Sequence, residues 1–422
     1  MELKVNTKQL TLIQLVYTIL VVGWIDTFKY VSILPLLADL FNVFLLLLLK
    51  KRTDYTDQYC ARFWNAVTLL IFFECLLSII QLIDNGVIRG VALTFWSLRM
   101  FFRPFILLKC IECAFGKEEA DVIDRMIMPI NYLHLICSAV EFYVLGIRYD
   151  YNGGVFGASQ GCNGQVNILY SALLIYIVLQ YYAKRRTLKD VIVIVVSAIV
   201  VAYWSELKFL YVEIVVLVFL TFIITKPSWR SISLIIGGVV LLLISMPRII
   251  EILPDNFSQM NTIEGLLEYN NSAYNESGLG FISRGNGIEL VNTQINNDSM
   301  FISLLGNGLG SANSIAFLNI NSIIEDMHGW RNYDYFSLTY MYIEMGWLGL
   351  IGFAILFLLL GLRYLRIEDM FYRLFGIGMI VIMFINMWYN SSWIIDSTAY
   401  LLVLFLALPL ISNKIEIAEE EK

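Results

Sequence analysis

Three basic residues in apolar surroundings are the first sign of chemistry in this chain. Arg99 and Arg103 stand four apart inside the hydrophobic run 92–115, and Lys208 lies at the start of the run 206–225. Four residues is close to one helical turn, so the two guanidinium groups share a face. Charge within an apolar span is costly and tends to face a cavity or a partner. Guanidinium groups grip phosphate oxygens two at a time. Arg99, Arg103 and Lys208 are therefore candidates for a diphosphate site. The alternative is structural, with Arg99 bridging to Glu344 or Asp39. Arg284 is a further candidate. The segment 248–335 holds Arg248, Arg284 and Arg331 as its basic residues against ten acids, and nothing in its composition calls for a cation at 284.

Other reactive residue types offer less. His134 sits in mid-run, where a packed core histidine is the plainer reading, and His328 has no second histidine nearby. No His/Cys cluster has metal-ligand spacing. Gly306-Asn307-Gly308-Leu309-Gly310 has the look of a phosphate-cradling loop but lacks the following lysine. Neither a metal nor a nucleotide cofactor is expected. There is no basic tract for nucleic acid.

The elements that must position these residues are membrane spans. Hydrophobic residues make up 59% of the 422 and charged ones 15%, against about half and a quarter in a soluble domain. That balance excludes a soluble enzyme, a disordered tail and a disulfide-rich secreted scaffold. A spanning helix takes roughly 20 apolar residues. Runs at about 9–25, 31–49, 64–83, 92–115, 127–147, 164–183, 188–203, 206–225, 230–247, 336–361, 370–388 and 393–412 meet that need. The fold expected is an all-α polytopic membrane protein of about 12 transmembrane helices. Residues 1–247 hold helices one to nine and residues 336–412 hold ten to twelve. The long loop 248–335 lies between helices nine and ten, and 413–422 is an acidic tail. The split near Ser205-Glu206 follows from length, because one helix over both runs would overreach a bilayer.

Positive charge sets the orientation. Lys50, Lys51 and Arg52, then Lys117 and Arg125, then Lys184, Arg185 and Arg186, then Lys226 and Arg230, then Arg363 and Arg366 fall in alternate connections. Those connections and both termini are expected in the cytoplasm, which puts 248–335 outside. Arg99, Arg103, Lys208, Glu344, Asp39 and Asp396 then gather in the outer leaflet. Arg99 would lie about 10 Å deep, Arg103 about 16 Å and Glu344 about 12 Å, at about 1.5 Å per residue. The loop has aromatic and aliphatic residues throughout, so an ordered lid is expected. Its apolar stretch Ile315–Ile324 would lie on the membrane or cap a cavity. The two halves show no internal repeat, which disfavours a transporter of the inverted-repeat kind.

Several segments then fall into a familiar order. Arg148-Tyr149-Asp150-Tyr151-Asn152-Gly153-Gly154-Val155-Phe156-Gly157 with Asn163-Gly164 resembles an outer-loop signature of the O-antigen ligase and Wzy-type polymerase superfamily. Ser205-Glu206-Leu207-Lys208 resembles its Ser-x-x-basic element. Arg284 followed by Leu305–Gly310 resembles its loop arginine and Gly-x-Gly pattern. Tyr342-Ile343-Glu344-Met345-Gly346-Trp347-Leu348-Gly349 resembles its Glu-x-Gly-x-x-Gly helix start. The ordered matches cover roughly 148–350.

The resemblance implies a membrane-embedded glycosyltransferase of the GT-C type, working on the outer face of a bacterial inner membrane. Its substrates would be polyprenyl-diphosphate-linked oligosaccharides, as donor and as acceptor. The sugar–diphosphate bond would supply the energy without metal or nucleotide. A flippase and a chain-length regulator are the partners implied. Ligases of the superfamily usually carry a His-Asn pair about ten residues before the glutamate. Here Asp334-Tyr335 stands in that place. That departure favours a polymerase of capsule, exopolysaccharide or O-antigen units over a ligase or a flippase. It also offers Asp334 as the base for the attacking sugar hydroxyl, with a helix N-cap as its plainer role. Arg284 would then serve catalysis beside it. Glu344, Glu206 and Arg148 would line or brace the site.

Overall fold

The computed structural model describes residues 6–24, 36–49, 58–159, 161–207, 210, 213 and 282–413. The expected spans 206–225 and 230–247 and loop residues 248–281 lie outside them, apart from Glu206, Leu207, Leu210 and Glu213. Lys208 also lies outside. The described residues are almost wholly helical. Their only strands are the two-residue pair Ser314–Ile315 and Ile320–Asn321, joined antiparallel.

Six helices are long and apolar enough to cross a membrane: Gln58–Leu77, Val87–Ala114, Lys117–Val144, Asn163–Tyr182, Ser337–Tyr364 and Met370–Tyr389. Leu36–Leu48 and Asp396–Ser412 are shorter and apolar. The surface around them reverses the soluble pattern. Leu69, Phe72, Ile83, Phe95, Leu133 and Leu358 are exposed, while Gln14, Asn42, Glu74, Asn131 and Asn167 are buried. Apolar outside and hydrogen-bonding inside suits a hydrocarbon solvent.

Helix ends differ from the hydropathy runs for local reasons. The run expected from 127 begins instead at Lys117, where Glu119 accepts from the Gly116 amide at 2.7 Å. Charged first-turn residues hide that start from a hydropathy count. The run 64–83 is two helices, Gln58–Leu77 and Ile79–Asn85. They part at Ser78, whose hydroxyl donates to the Glu74 carbonyl at 2.7 Å. Leu188–Trp204 starts on a Thr187–Asp190 capping box and stops at Ser205. The next residue, Glu206, has φ +54°. The break expected near Ser205-Glu206 is therefore real.

Asn163–Tyr182 is the buried centre. Leu188–Trp204, Met370–Tyr389 and Asp396–Ser412 pack against it. A second apolar centre stacks Phe102, Phe105, Phe353 and Phe357 around Trp393, whose Nε1 donates to the Phe101 carbonyl at 3.0 Å. Residues 282–335 are ordered as three short helices and the strand pair. Ser299 and Ser322 cap two of those helices through their hydroxyls.

Candidate functional site

A cavity of about 710 Å³ opens between the ends of several helices and the segment 282–335. Glu206, Arg284 and Asp334 line it, together with Asp150, Asn163 and Glu325. These residues come from four separate stretches of sequence. Arg148, Arg99, Arg103 and Glu344 are not in its wall.

The stretch 148–164 is fastened under the cavity by side-chain hydrogen bonds. Asn152 is fully buried; its Nδ2 donates to the Ser138 carbonyl at 3.1 Å and its Oδ1 accepts from the Ser205 hydroxyl at 3.0 Å. Asn163 donates to Asp150 at 2.7 Å and to the Ser205 carbonyl at 3.4 Å. The Gly154 amide donates to Glu141 at 2.7 Å. Gly154 has φ +57°, and a Cβ there would stand 2.6 Å from the Ser138 hydroxyl and 2.7 Å from the His134 ring. Only glycine fits both the backbone and the space. His134 is buried between Phe156 and Tyr170, at 5.8 and 5.5 Å between ring centres, in the plainer role of a packed core residue. Arg148 lies over the Phe142 ring at 5.0 Å and braces this loop from outside the cavity.

Arg284 is held flat. Its Nε donates to the Tyr389 carbonyl at 3.0 Å, and its guanidinium stacks on the Tyr389 ring at 4.0 Å and faces Phe336 at 5.4 Å. Among the described residues no carboxylate forms an ion pair with it. Asp334 lies in the turn Tyr333–Tyr335, and the N-cap of the following helix is Phe336. Asp334 therefore does not cap that helix. Solvent reaches Asp334 through the cavity, yet the surrounding protein raises its carboxyl above the ordinary carboxylate range by desolvation, and the charge of Glu325 adds to the rise. Tyr333, between them in sequence, donates to the Glu325 carboxylate and contacts the Ala312 carbonyl at 3.0 Å. His328 takes no part in the cavity wall and accepts from Arg331 at 3.3 Å.

Arg99 and Arg103 are engaged elsewhere. Arg99 pairs with Asp39 and reaches Asp396 at 3.3 Å. Arg103 pairs with Asp396 and stands 3.9 Å from Asp39. Both guanidinium groups are thus engaged by carboxylates of the chain itself. Arg103 is 2% exposed, which leaves it little access to a ligand. The pairing of Arg99 with Asp39 is one of the two structural bridges the sequence allowed; that with Glu344 is not formed. Removing one member of a buried pair typically costs about 3–5 kcal/mol. Asp396→Ala is thus expected to lower the thermal unfolding midpoint sharply in detergent, with Arg99→Lys much milder. An unchanged midpoint in Asp396→Ala with lost activity would return these arginines to substrate binding.

Glu344 holds the glycine loop instead. Its carboxylate accepts from the amides of Gly310 at 2.9 Å and Ala312 at 3.2 Å and from the Ser97 hydroxyl at 3.1 Å. The Asn307 and Gly308 amides donate to the carbonyls of Ile343 and Glu344, each at 2.9 Å. Gly346 breaks the helix here with φ +58° and ψ −164°, and a Cβ there would strike the backbone of Leu304 and Gly306. The Gly-rich segment is thus spent on a carboxylate of its own chain, which is why its likeness to a phosphate loop is superficial. Glu344→Ala would leave buried amides unpaired. A loss of about 3 kcal/mol or more is expected, read as faster proteolysis within 300–315.

Glu325, Asn167 and Tyr389 were not singled out by the sequence. Glu325 was one acid among ten. Asn167 did carry a signal, because it stands one helical turn after Asn163. No family model matches the chain, and no curated protein matches it.

Proposed function

We propose that this chain is a membrane-embedded glycosyltransferase that joins polyprenyl-diphosphate-linked oligosaccharide units of a capsule, exopolysaccharide or O-antigen. The observation that carries the reading is the shared cavity. Asn163, Glu206 and Arg284 belong to three of the separate segments on which the resemblance rests, and they line one space with Asp334, which stands where ligases of the superfamily carry a His-Asn pair. In this reading the protein has about twelve spans, both termini in the cytoplasm and the cavity open to the outer face of a bacterial inner membrane. Lys208, the basic residue of the Ser-x-x-basic element, would in this reading add a second cation.

The chemistry needs a cation for the leaving group and a base for the nucleophile. A sugar hydroxyl of the acceptor attacks the anomeric carbon of the donor. The new C–O bond forms as the bond from that carbon to the diphosphate oxygen breaks. The proton passes to Asp334, and the electron pair leaves on the diphosphate beside Arg284. Preorganised charge at the departing group is the largest single contribution in many such sites. Arg284, stacked on Tyr389 in the cavity wall and without an ion-pair partner among the described residues, suits that role better than Arg99 and Arg103, which are held in ion pairs and are not in that wall.

Deleting the gene tests the reading in cells. Single repeat units should remain on lipid or acceptor at the cell surface while polymer disappears. Absence of even single units outside would point to a flippase, and retention of polymer that is no longer attached to its acceptor would point to a ligase. For orientation, a cysteine-free variant would carry Ser277→Cys or Thr187→Cys. An impermeant reagent should label the first in intact cells and not the second; the opposite pattern would reverse the topology.

A further inference from the structure

The cavity has a polar floor that the reaction above does not use. Asn163, Asn167 and Ser171 stand at successive turns of one helix, and they run from the cavity wall into the buried core. At the inner end they meet Glu213, which is 0% exposed. Glu213 Oε1 accepts from Asn167 Nδ2 at 3.1 Å and from Asn386 Nδ2 at 2.8 Å, and its other oxygen accepts from the Ser171 hydroxyl. Asn167 Nδ2 also donates to Asn386 Oδ1 at 2.9 Å. Both Nδ2 hydrogens of Asn167 are therefore committed. This pattern fixes the orientation of the amide, since the flipped form would turn its oxygen onto a carboxylate and a carbonyl oxygen. Among the described residues Asn167 Oδ1 has no hydrogen-bond partner, on a residue that is 3% exposed and lines the cavity.

An unsatisfied buried acceptor is costly, and one that lines a cavity can be satisfied by what enters it, a water, an ion or a ligand. The rest of the wall points the same way. Asp150, Glu206, Glu325 and Asp334 are among the residues that line the cavity, and carboxylates only accept when ionised. A wall rich in acceptors suits a ligand rich in hydroxyl donors, which is the chemistry of a sugar.

We propose that the cavity floor is a sugar subsite in which Asn167 Oδ1 accepts a hydrogen bond from a hydroxyl of the lipid-linked glycan, with Glu213 as the positioning residue that holds the amide in that orientation. The proposal rests on the glycosyltransferase reading and adds where the glycan is read. Asn167 binds and does not react, so its loss weakens binding more than turnover. Asn131, a buried amide on another helix that donates to the Ser197 hydroxyl at 3.1 Å outside the cavity wall, serves as the structural control.

The test uses full-length protein in liposomes and repeat units on polyprenyl diphosphate, extracted from cells lacking the gene. Asn167→Ala should raise KM about tenfold, the scale of one lost hydrogen bond with its partner left unpaired, with kcat within about twofold. Glu213→Gln should raise KM in the same direction. Asn131→Ala should leave KM and kcat as in the wild type. Asn167→Ala with wild-type KM, or Asn131→Ala raising KM as much as Asn167→Ala, would overturn the subsite while leaving the glycosyltransferase reading in place. Wild-type protein that neither binds nor extends the repeat units would overturn both.

Discussion

Arg284→Ala is expected to reduce chain extension by about 10²–10³-fold, the scale seen when one preorganised donor to a developing anion is removed. Protein level and membrane insertion should stay normal, because Arg284 sits at the cavity wall and holds no carboxylate among the described residues. Lysine should restore little. It carries the charge but can neither lie flat on Tyr389 nor present two parallel donors to a phosphate. The stack supplies a graded control. Tyr389→Phe keeps the ring and the backbone carbonyl that Arg284 uses, so activity near the wild-type level is expected. Tyr389→Ala frees the guanidinium and should lose part of the rate. Lipid-linked products would be sized on gels at matched protein amounts. Full activity in Arg284→Ala would remove the cation from the mechanism.

Asp334→Asn should slow extension by about 10²–10⁴-fold, the usual contribution of a positioned base. The loss cannot come from an uncapped helix, since Phe336 holds that position. The pH profile gives an independent reading. A base works only when deprotonated, so the rate falls as pH drops through its pKa. Desolvation and then Glu325 raise that pKa, so the acid limb should lie above the value of about 3.9 usual for aspartate. Glu325→Gln removes the neighbouring charge and still accepts from Tyr333. It should shift the limb to lower pH. A limb unmoved by Glu325→Gln, or near-normal turnover in Asp334→Asn, would take Asp334 out of the chemistry.

The parts legible in the sequence were those set by hydropathy and by local backbone needs. Apolar runs located the long helices, and the break after Trp204 followed from length alone. The Asn152-Gly153-Gly154 turn and Gly306–Gly310 stood out because their backbones demand glycine. What the sequence could not give was which charges meet. Arg99 had Asp39, Glu344 and a diphosphate as rival partners, and spacing along one helix says nothing of the helix across from it. Asp396 completes the paired group from nearly 300 residues away. Glu344 looked like a site residue because it stood out as a charge at membrane depth; three hydrogen-bond donors from Ser97, Gly310 and Ala312 account for it. Arg284 was legible as a candidate through motif order, and Asp334 through its place at the departure from the ligase His-Asn pair. Their aromatic platform and acidic neighbour come from contacts that only folding brings together.

In the proposed reading, the cavity shared by Glu206, Arg284 and Asp334 is where lipid-linked glycans are joined. Purified protein reconstituted in liposomes with polyprenyl-diphosphate-linked repeat units of its own host, and no nucleotide, tests it most directly. A ladder of longer lipid-linked chains is expected, with one free polyprenyl diphosphate released per bond formed, and no ladder with Arg284→Ala. Unit-length glycan moved across the bilayer without any extension, or a ladder that Arg284→Ala and Asp334→Asn both leave intact, would contradict it.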